Sequence, residues 1–180
     1  MSDVSRLNFE DIVHQEDKKV YNLAYRLCGN HEEAKDIAQE TFVRAFEHFH
    51  SFRGGSCVFT YLYRIAFNIW KNRLRHRSRH PVLSMNQVNP EGPAFDPADS
   101  APGPDKALET EEIALLARQC LDSLKPADRL IIILRDMEGK SYDEIARILK
   151  CRLGTVRSRL ARARDSLREK AVPQMKRFQQ

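Results

Sequence analysis

Tyr61, Arg64, Asn68, Lys71, Asn72 and Arg75 recur at helical spacing and fall on one side of a helix at 100° per residue. Their types suit nucleic acid. Cations hold phosphates, an Asn amide offers both donor and acceptor to a base edge, and a ring can stack on an unstacked base. An ordinary solvated basic helix would display the same face. A second set, Thr155, Arg157, Ser158, Arg159, Arg162, Arg164 and Arg168, surrounds an apolar seam of Val156, Leu160, Ala163 and Leu167. A helix rich in Arg, Ser and Thr can enter a major groove, and its N-terminal amides favour a phosphate.

Cleaving or joining nucleic acid needs more: clustered carboxylates for metal ions, or a nucleophile with its base. The acids lie instead between these two sets and on exposed helix faces. His48 and His50, two apart, point to different faces. The expectation is a binding protein, not an enzyme, with no metal site and no cofactor. Two rivals stand beside it: a small nuclease or recombinase, and a regulator that reads duplex DNA unaided.

Charge is strongly segregated within a net of +5 over 180 residues. Residues 64–80 carry six Lys or Arg and no acid, and residues 154–177 carry eight against Asp165 and Glu169. Between them, residues 81–106 hold six of the eight prolines, four acids and one lysine. That composition has little to bury and reads as a linker. Two small lobes follow, residues 1–80 and 107–180. The longest apolar run, Leu130 to Leu134, falls far short of a bilayer span, and no secretory h-region is seen near Asp3, Arg6, Glu10 and Asp11. Cys28, Cys57, Cys120 and Cys151 are widely spaced, as reduced cytosolic thiols would be, and a cytoplasmic location is expected.

Helices must position both sets. Phe9, Ile12, Val13, Val20, Leu23, Ala24 and Leu27 predict a helix stopped by Gly29-Asn30. Ala34, Ile37, Ala38, Phe42, Ala45 and Phe49 predict a second, its other face bearing Lys35, Asp36, Gln39, Glu40, Arg44 and Glu47. A turn over residues 51–56 precedes a helix over 58–77, whose core face is Leu62, Ile65, Ala66 and Ile69, with Tyr63, Phe67, Trp70 and Leu74 as a flank. In the second lobe, Ile113, Leu116, Ala117, Cys120, Leu121 and Leu124 share a helix face ended by Lys125-Pro126. Another helix runs from Pro126 to Met137. Ser141-Tyr142-Asp143-Glu144 is a capping box opening a short helix, and a turn near Lys150-Cys151 leads into the Arg-rich one. This is a helix-turn-helix.

Three stretches of the first lobe resemble region 2 of bacterial extracytoplasmic-function (ECF) sigma factors: residues 34–45 (AKDIAQETFVRA), 51–54 (SFRG) and 60–68 (TYLYRIAFN). Residues 124–126 (LKP), 139–146 (GKSYDEIA) and 154–164 (GTVRSRLARAR) resemble region 4. The resemblance implies an all-α fold of two helical domains joined by an acidic, Pro-rich linker. It also implies an alternative transcription initiation factor that binds core RNA polymerase, recognises −35 and −10 promoter elements and helps to melt the −10 DNA. Implied partners are the clamp helices of the largest catalytic subunit, the flap of the other large subunit, promoter DNA and an anti-sigma factor. By the same resemblance Asp36, Gln39, Glu40 and Arg44 contact polymerase. Arg53, Tyr61, Arg64, Asn68, Lys71, Asn72 and Arg75 contact the −10 element, with Asn68 at the position of the base reader. Thr155, Arg157, Ser158, Arg159, Arg162, Arg164 and Arg168 contact the −35 element. Tyr61 stands where the family usually has Trp and keeps a stacking ring. Ala161 stands where a larger side chain is often found, which leaves one −35 contact open.

Overall fold

The computed structural model describes residues 9–49, 57–79, 113 and 115–178, with side chains described to residue 173. The expected linker, residues 81–106, lies outside the described residues, as does the expected turn, residues 51–56. Every regular element among the described residues is helical.

The first lobe is three helices: α1 (Phe9–Cys28), α2 (His31–Glu47) and α3 (Val58–Arg79). Gly29, at φ +72°, takes the left-handed conformation that ends α1, and its amide closes back on the Tyr25 carbonyl at 2.7 Å. Asn30 then caps α2, its side chain accepting from the Glu33 amide at 2.9 Å. Val20, Leu23, Ala24 and Leu27 meet Ala34, Ile37 and Ala38 and the buried face of α3. That face is wider than the spacing predicts. Tyr63, Phe67 and Trp70, read as a flank, are buried with Leu62, Ala66 and Ile69, whereas Ile65 is only partly covered.

The second lobe supplies part of the extra cover. It comprises α4 (residues 115–122), α5 (Pro126–Ile132), α6 (Tyr142–Leu149) and α7 (Leu153–Phe178). The α5 helix passes into one π-helical turn, Ile133–Met137, and Gly139 at φ +65° ends it. In α4 the packed face is Leu116, Cys120 and Leu121, joined just beyond by Leu124. Ile113, expected among them, is 65% exposed, and Ala117 is exposed too. Val156, Leu160 and Ala163 bury the α7 seam as the spacing predicts, with Leu167 partly covered beyond them.

The lobes pack on each other. The guanidinium of Arg129, 6% exposed, lies 5.1 Å from the Trp70 ring and donates to the carbonyls of Leu121 and Leu27, each at 2.9 Å. Lys140 sits over the rings of Phe59 and Tyr63, at 4.6 and 5.5 Å. Tyr63 also hydrogen-bonds Glu138, whose carboxylate lies 3.6 Å from Arg26.

The α6 start carries the full capping box. Ser141 accepts from the Glu144 amide at 3.2 Å, and the Glu144 carboxylate accepts from the Ser141 amide at 2.7 Å. The Ser141 hydroxyl, then its amide, hold the Glu144 carboxyl below the usual carboxylate range. A depressed carboxyl stabilises the fold above its unfolded pKa, and that stabilisation is lost as pH falls through the folded value. Ser141→Ala should therefore cost about 1 kcal/mol at neutral pH. It should also reduce the acid-induced loss of stability below about pH 4, the unfolded value for Glu. Urea denaturation of both chains over that pH range measures the two effects.

Candidate nucleic-acid interface

The α3 stripe splits in two. Asn68, Asn72 and Arg75 are exposed, and Lys71 is half-buried with its ammonium 6.0 Å from the Phe67 ring. Toward the N-terminus, Tyr61 is partly buried, and burial pushes its hydroxyl pKa up. Arg64 lies under the second lobe, its Nη2 donating to the Arg147 carbonyl of α6 at 2.7 Å. Its Nε is buried without a hydrogen-bond partner among the described residues. Arg53 lies outside the described residues.

On the opposite side of α3, Arg73 and Arg77 turn toward α2. Arg73 reaches Glu40 at 2.7 Å and Asp36 at 3.9 Å, and Arg77 makes two 2.9 Å hydrogen bonds to Glu33. Arg44 adds a 2.6 Å contact to Glu40. Asp36, Gln39 and Glu40, with Val43 and Arg73, thus line a shallow depression, and Glu40 is held between two guanidinia. Sequence reasoning missed the Arg73 and Arg77 links. Their signal was available as a stripe of acids at positions 33, 36 and 40 facing cations four apart at 73 and 77. Val43, 52% exposed, and Phe46, 61% exposed, extend this surface with apolar area, and Phe46 packs edge-on against Phe9 at 5.2 Å.

The α7 face is presented by a helix whose other side is locked. Arg157, Ser158, Arg162 and Arg168 are exposed, and Thr155 and Arg159 are partly covered. Ser158 donates to the Thr155 carbonyl and Arg162 to the Ser158 carbonyl, each at 3.2 Å, so both tips lie along the helix. Arg164 differs from its neighbours. Asp136 in the π-helical turn binds it through two guanidinium nitrogens and raises its pKa. That pair clamps α7 to the turn after α5, a brace the sequence spacing does not reveal. Lys170 adds a second brace, donating to the Ser123 carbonyl at 2.9 Å.

Among the described residues no group of three or more His, Cys, Asp and Glu side chains is arranged to hold a metal ion. No helix among them is long and apolar enough to cross a membrane.

Known proteins share this arrangement along the chain. Residues 12–80 match sigma-70 region 2, and residues 109–167 match sigma-70 region 4. The chain is 37% identical over 169 residues to the RNA polymerase sigma-H factor of Pseudomonas aeruginosa, covering 92% of this chain and 86% of that protein. It is 35% identical over 173 residues to the ECF RNA polymerase sigma-E factor of Escherichia coli strain K12, covering 94% and 89%. Its fold superposes, with a TM-score of 0.65 and 28% identity, on the Bartonella quintana sigma factor RpoE in complex with the anti-sigma factor NepR. That match covers 90% of this chain and 95% of the other. Two sigma regions in the right order and relatives matched over most of both chains lead to one conclusion: this protein belongs to the ECF RNA polymerase sigma factors, transcription initiation proteins that bind RNA polymerase and promoter DNA.

Proposed function

We propose that the faces described above divide the work of a promoter-selecting initiation factor. The observation that carries this reading is that each basic face stands on a helix whose opposite side is committed to packing. On α3, Leu62, Ala66 and Ile69 are buried while Asn68, Asn72 and Arg75 are exposed; on α7, Val156, Leu160 and Ala163 are buried while Arg157, Ser158 and Arg162 are exposed. Rigid helices hold reading groups better than loops do.

In this reading Asn68 reads one unstacked −10 base, Tyr61 offers a stacking ring, and Arg64, Lys71, Asn72 and Arg75 hold neighbouring phosphates and bases, with Arg53 from the preceding turn. Opening a duplex step costs a few kcal/mol, offset only if the exposed base is captured. On α7, Arg157, Ser158 and Arg162 reach the −35 element, flanked by Thr155 and Arg159, and Arg168 positions the helix on the backbone. Arg164 takes a modified role. Bound to Asp136, it neutralises an acid beneath the DNA-facing helix and fixes the helix angle, with a phosphate as a second partner. Polymerase docks on Asp36, Gln39, Glu40 and Arg44. The RpoE–NepR complex supports an anti-sigma factor as a further partner. The protein acts in the cytoplasm, where its polymerase is, and by binding, without catalysis of its own.

Asn68→Ala should abolish melting of a duplex promoter while core polymerase binding stays at the wild-type level. Base preference on single-stranded −10 oligonucleotides should fall by about 1–3 kcal/mol at one position. Retention of the full preference would remove Asn68 from the role.

Reversing both Asp36 and Glu40 to Lys should weaken core polymerase binding by about 2–5 kcal/mol. Circular dichroism should show helicity retained, because the buried face of α2, Ala34, Ile37, Ala38 and Phe42, is untouched. Titration against core enzyme decides it, and an unchanged affinity rules this face out.

For the −35 element, Arg157→Ala should relax preference at one base position at a cost of about 1–3 kcal/mol. Arg168→Ala should instead weaken all sequences alike and make the salt slope shallower by about one unit. Binding of the full chain with core polymerase to promoter variants over a salt series separates the two. Indistinguishable behaviour of both variants would refute the division of labour.

A further inference from the structure

An acid stands at the edge of the helix proposed to meet the −35 element. Arg157, Ala161, Arg164 and Arg168 form one stripe of α7, spaced four, three and four residues apart. Arg157 and Arg168 are exposed on it, whereas Arg164 is met by the Asp136 carboxylate. Two of the five guanidinium N–H donors are taken, Nε donating to Oδ2 at 3.1 Å and Nη2 to Oδ1. The two side chains are 48% and 34% exposed. A pair that open to water contributes at most modestly to stability, so its main consequence is where it holds the guanidinium.

Asp136 reaches α7 by way of the π-helical turn. Leu130 to Leu134 are all buried, which encloses the end of α5 on every side. A π turn closes residue i on i+5 rather than i+4, so the residues beyond it are shifted in register. Arg135 is committed to α6, its guanidinium 4.8 Å from the Tyr142 ring and donating to the Lys140 carbonyl at 2.9 Å. Asp136 is committed to α7, which Val156, Leu160 and Ala163 already fix in place. Both partners of the pair therefore stand on packed backbone.

Charge decides what this does on DNA. A lone arginine on the stripe reaches any nearby phosphate, and each such contact tightens binding to every sequence alike. Paired with Asp136, Arg164 brings no net charge, and its remaining donors meet a phosphate in one orientation only. Oriented phosphate contacts set the register of a helix on the duplex without reading bases.

We propose that Asp136 is a specificity-determining residue: it turns Arg164 from an indiscriminate phosphate contact into a register contact, and so holds Arg157, Ser158 and Arg162 over base edges. The proposal rests on the assignment of the α7 face to −35 DNA.

The test uses the full chain assembled on core RNA polymerase, as wild type, Asp136→Asn, Asp136→Glu, and Asp136→Asn combined with Arg164→Gln. Each selects from a random-sequence duplex pool, and each is titrated over a salt series with its selected duplex and with one arbitrary duplex. Asp136→Asn keeps the side-chain size and removes the charge. It should bind the arbitrary duplex more tightly at low salt, with a log–log salt slope steeper by about 0.9. Its preference for the selected duplex should fall about tenfold, as for the loss of one base-edge contact. Asp136→Glu should stay close to the wild type in both respects. The double variant should return to the wild-type slope and keep the relaxed preference. A merely structural brace predicts the opposite sign, weaker binding to every sequence as the second lobe loosens. That result, or an unchanged slope or preference in Asp136→Asn, overturns the proposal. Arg157→Ala controls for the reading beneath it. Where the wild type selects a sequence and Arg157→Ala relaxes the selection, α7 reads DNA and failure of Asp136→Asn counts against Asp136 alone. Selection that Arg157→Ala leaves intact, or no selection by any chain, overturns the assignment of α7 and the proposal with it.

Discussion

The end of a helix leaves carbonyls that must find donors, and the way α1 solves this governs much else in the structure. The Gly29 amide serves the Tyr25 carbonyl, and α2 starts at His31, with Gly29 and Asn30 used as terminator and cap. Arg118 and Arg129 of the second lobe fill the gap. A guanidinium at a helix C-terminus gains from the dipole as well as from its hydrogen bonds. Arg129 is nearly fully buried, and burial lowers its pKa while the Asp122 carboxylate opposes the shift. With the carbonyls of Leu121 and Leu27 and the indole face of Trp70 around it, that cation is paired on several sides. Removing any one of these leaves a buried charge less well compensated.

The same economy explains the width of the α3 core face. A helix packed only on α1 and α2 would bury one stripe. Here α3 meets the second lobe as well, Arg129 of α5 lying over Trp70 and Lys140 over Tyr63. Glu138 is the least comfortable member of that seam. Burial raises its pKa, and only Tyr63, Arg26 and Lys140 pull it back. Of the α3 stripe expected to meet DNA, packing leaves Asn68, Asn72 and Arg75 exposed. The exposed face of α3 is what packing leaves over.

Much of this was legible in the residues. Gly29-Asn30 marked the α1–α2 corner, Pro126 the α5 start, and Ser141 with Glu144 the α6 cap, because each acts through local chemistry within four residues. The α7 seam was legible because its period matches the helix. What was not legible acts across the chain. No spacing rule joins Arg118 to carbonyls 91 to 93 residues earlier, or Arg164 to Asp136, since cations at such positions look identical whether paired or solvated. Ile113 failed for a related reason: periodicity marks a face but not the residue at which packing begins. The π-helical turn at Ile133–Met137 had no signal: it begins within the apolar run Leu130–Leu134, which suits an α-helix equally well.

Pairing of cations within the chain also limits what either lobe can do alone. Of the arginines on α7, Arg164 is committed to Asp136 and Arg162 leans on its own backbone, which leaves Arg157, Arg159 and Arg168 as the cations least engaged with the chain. Three or four phosphate contacts release few counterions, and the resulting non-specific affinity is weak and salt-sensitive. The α3 face is similar, with Arg73 and Arg77 turned inward to the acids of α2. Among the described residues, several cations of each basic face are thus already engaged within the chain. Mounting both on one large enzyme converts the second contact into an intramolecular one, and its effective concentration supplies what the separate faces lack. The acids that neutralise Arg73 and Arg77 lie on the face proposed to meet that enzyme. The same acids, Glu33 and Glu40, thus shape that surface and neutralise cations of the basic helix.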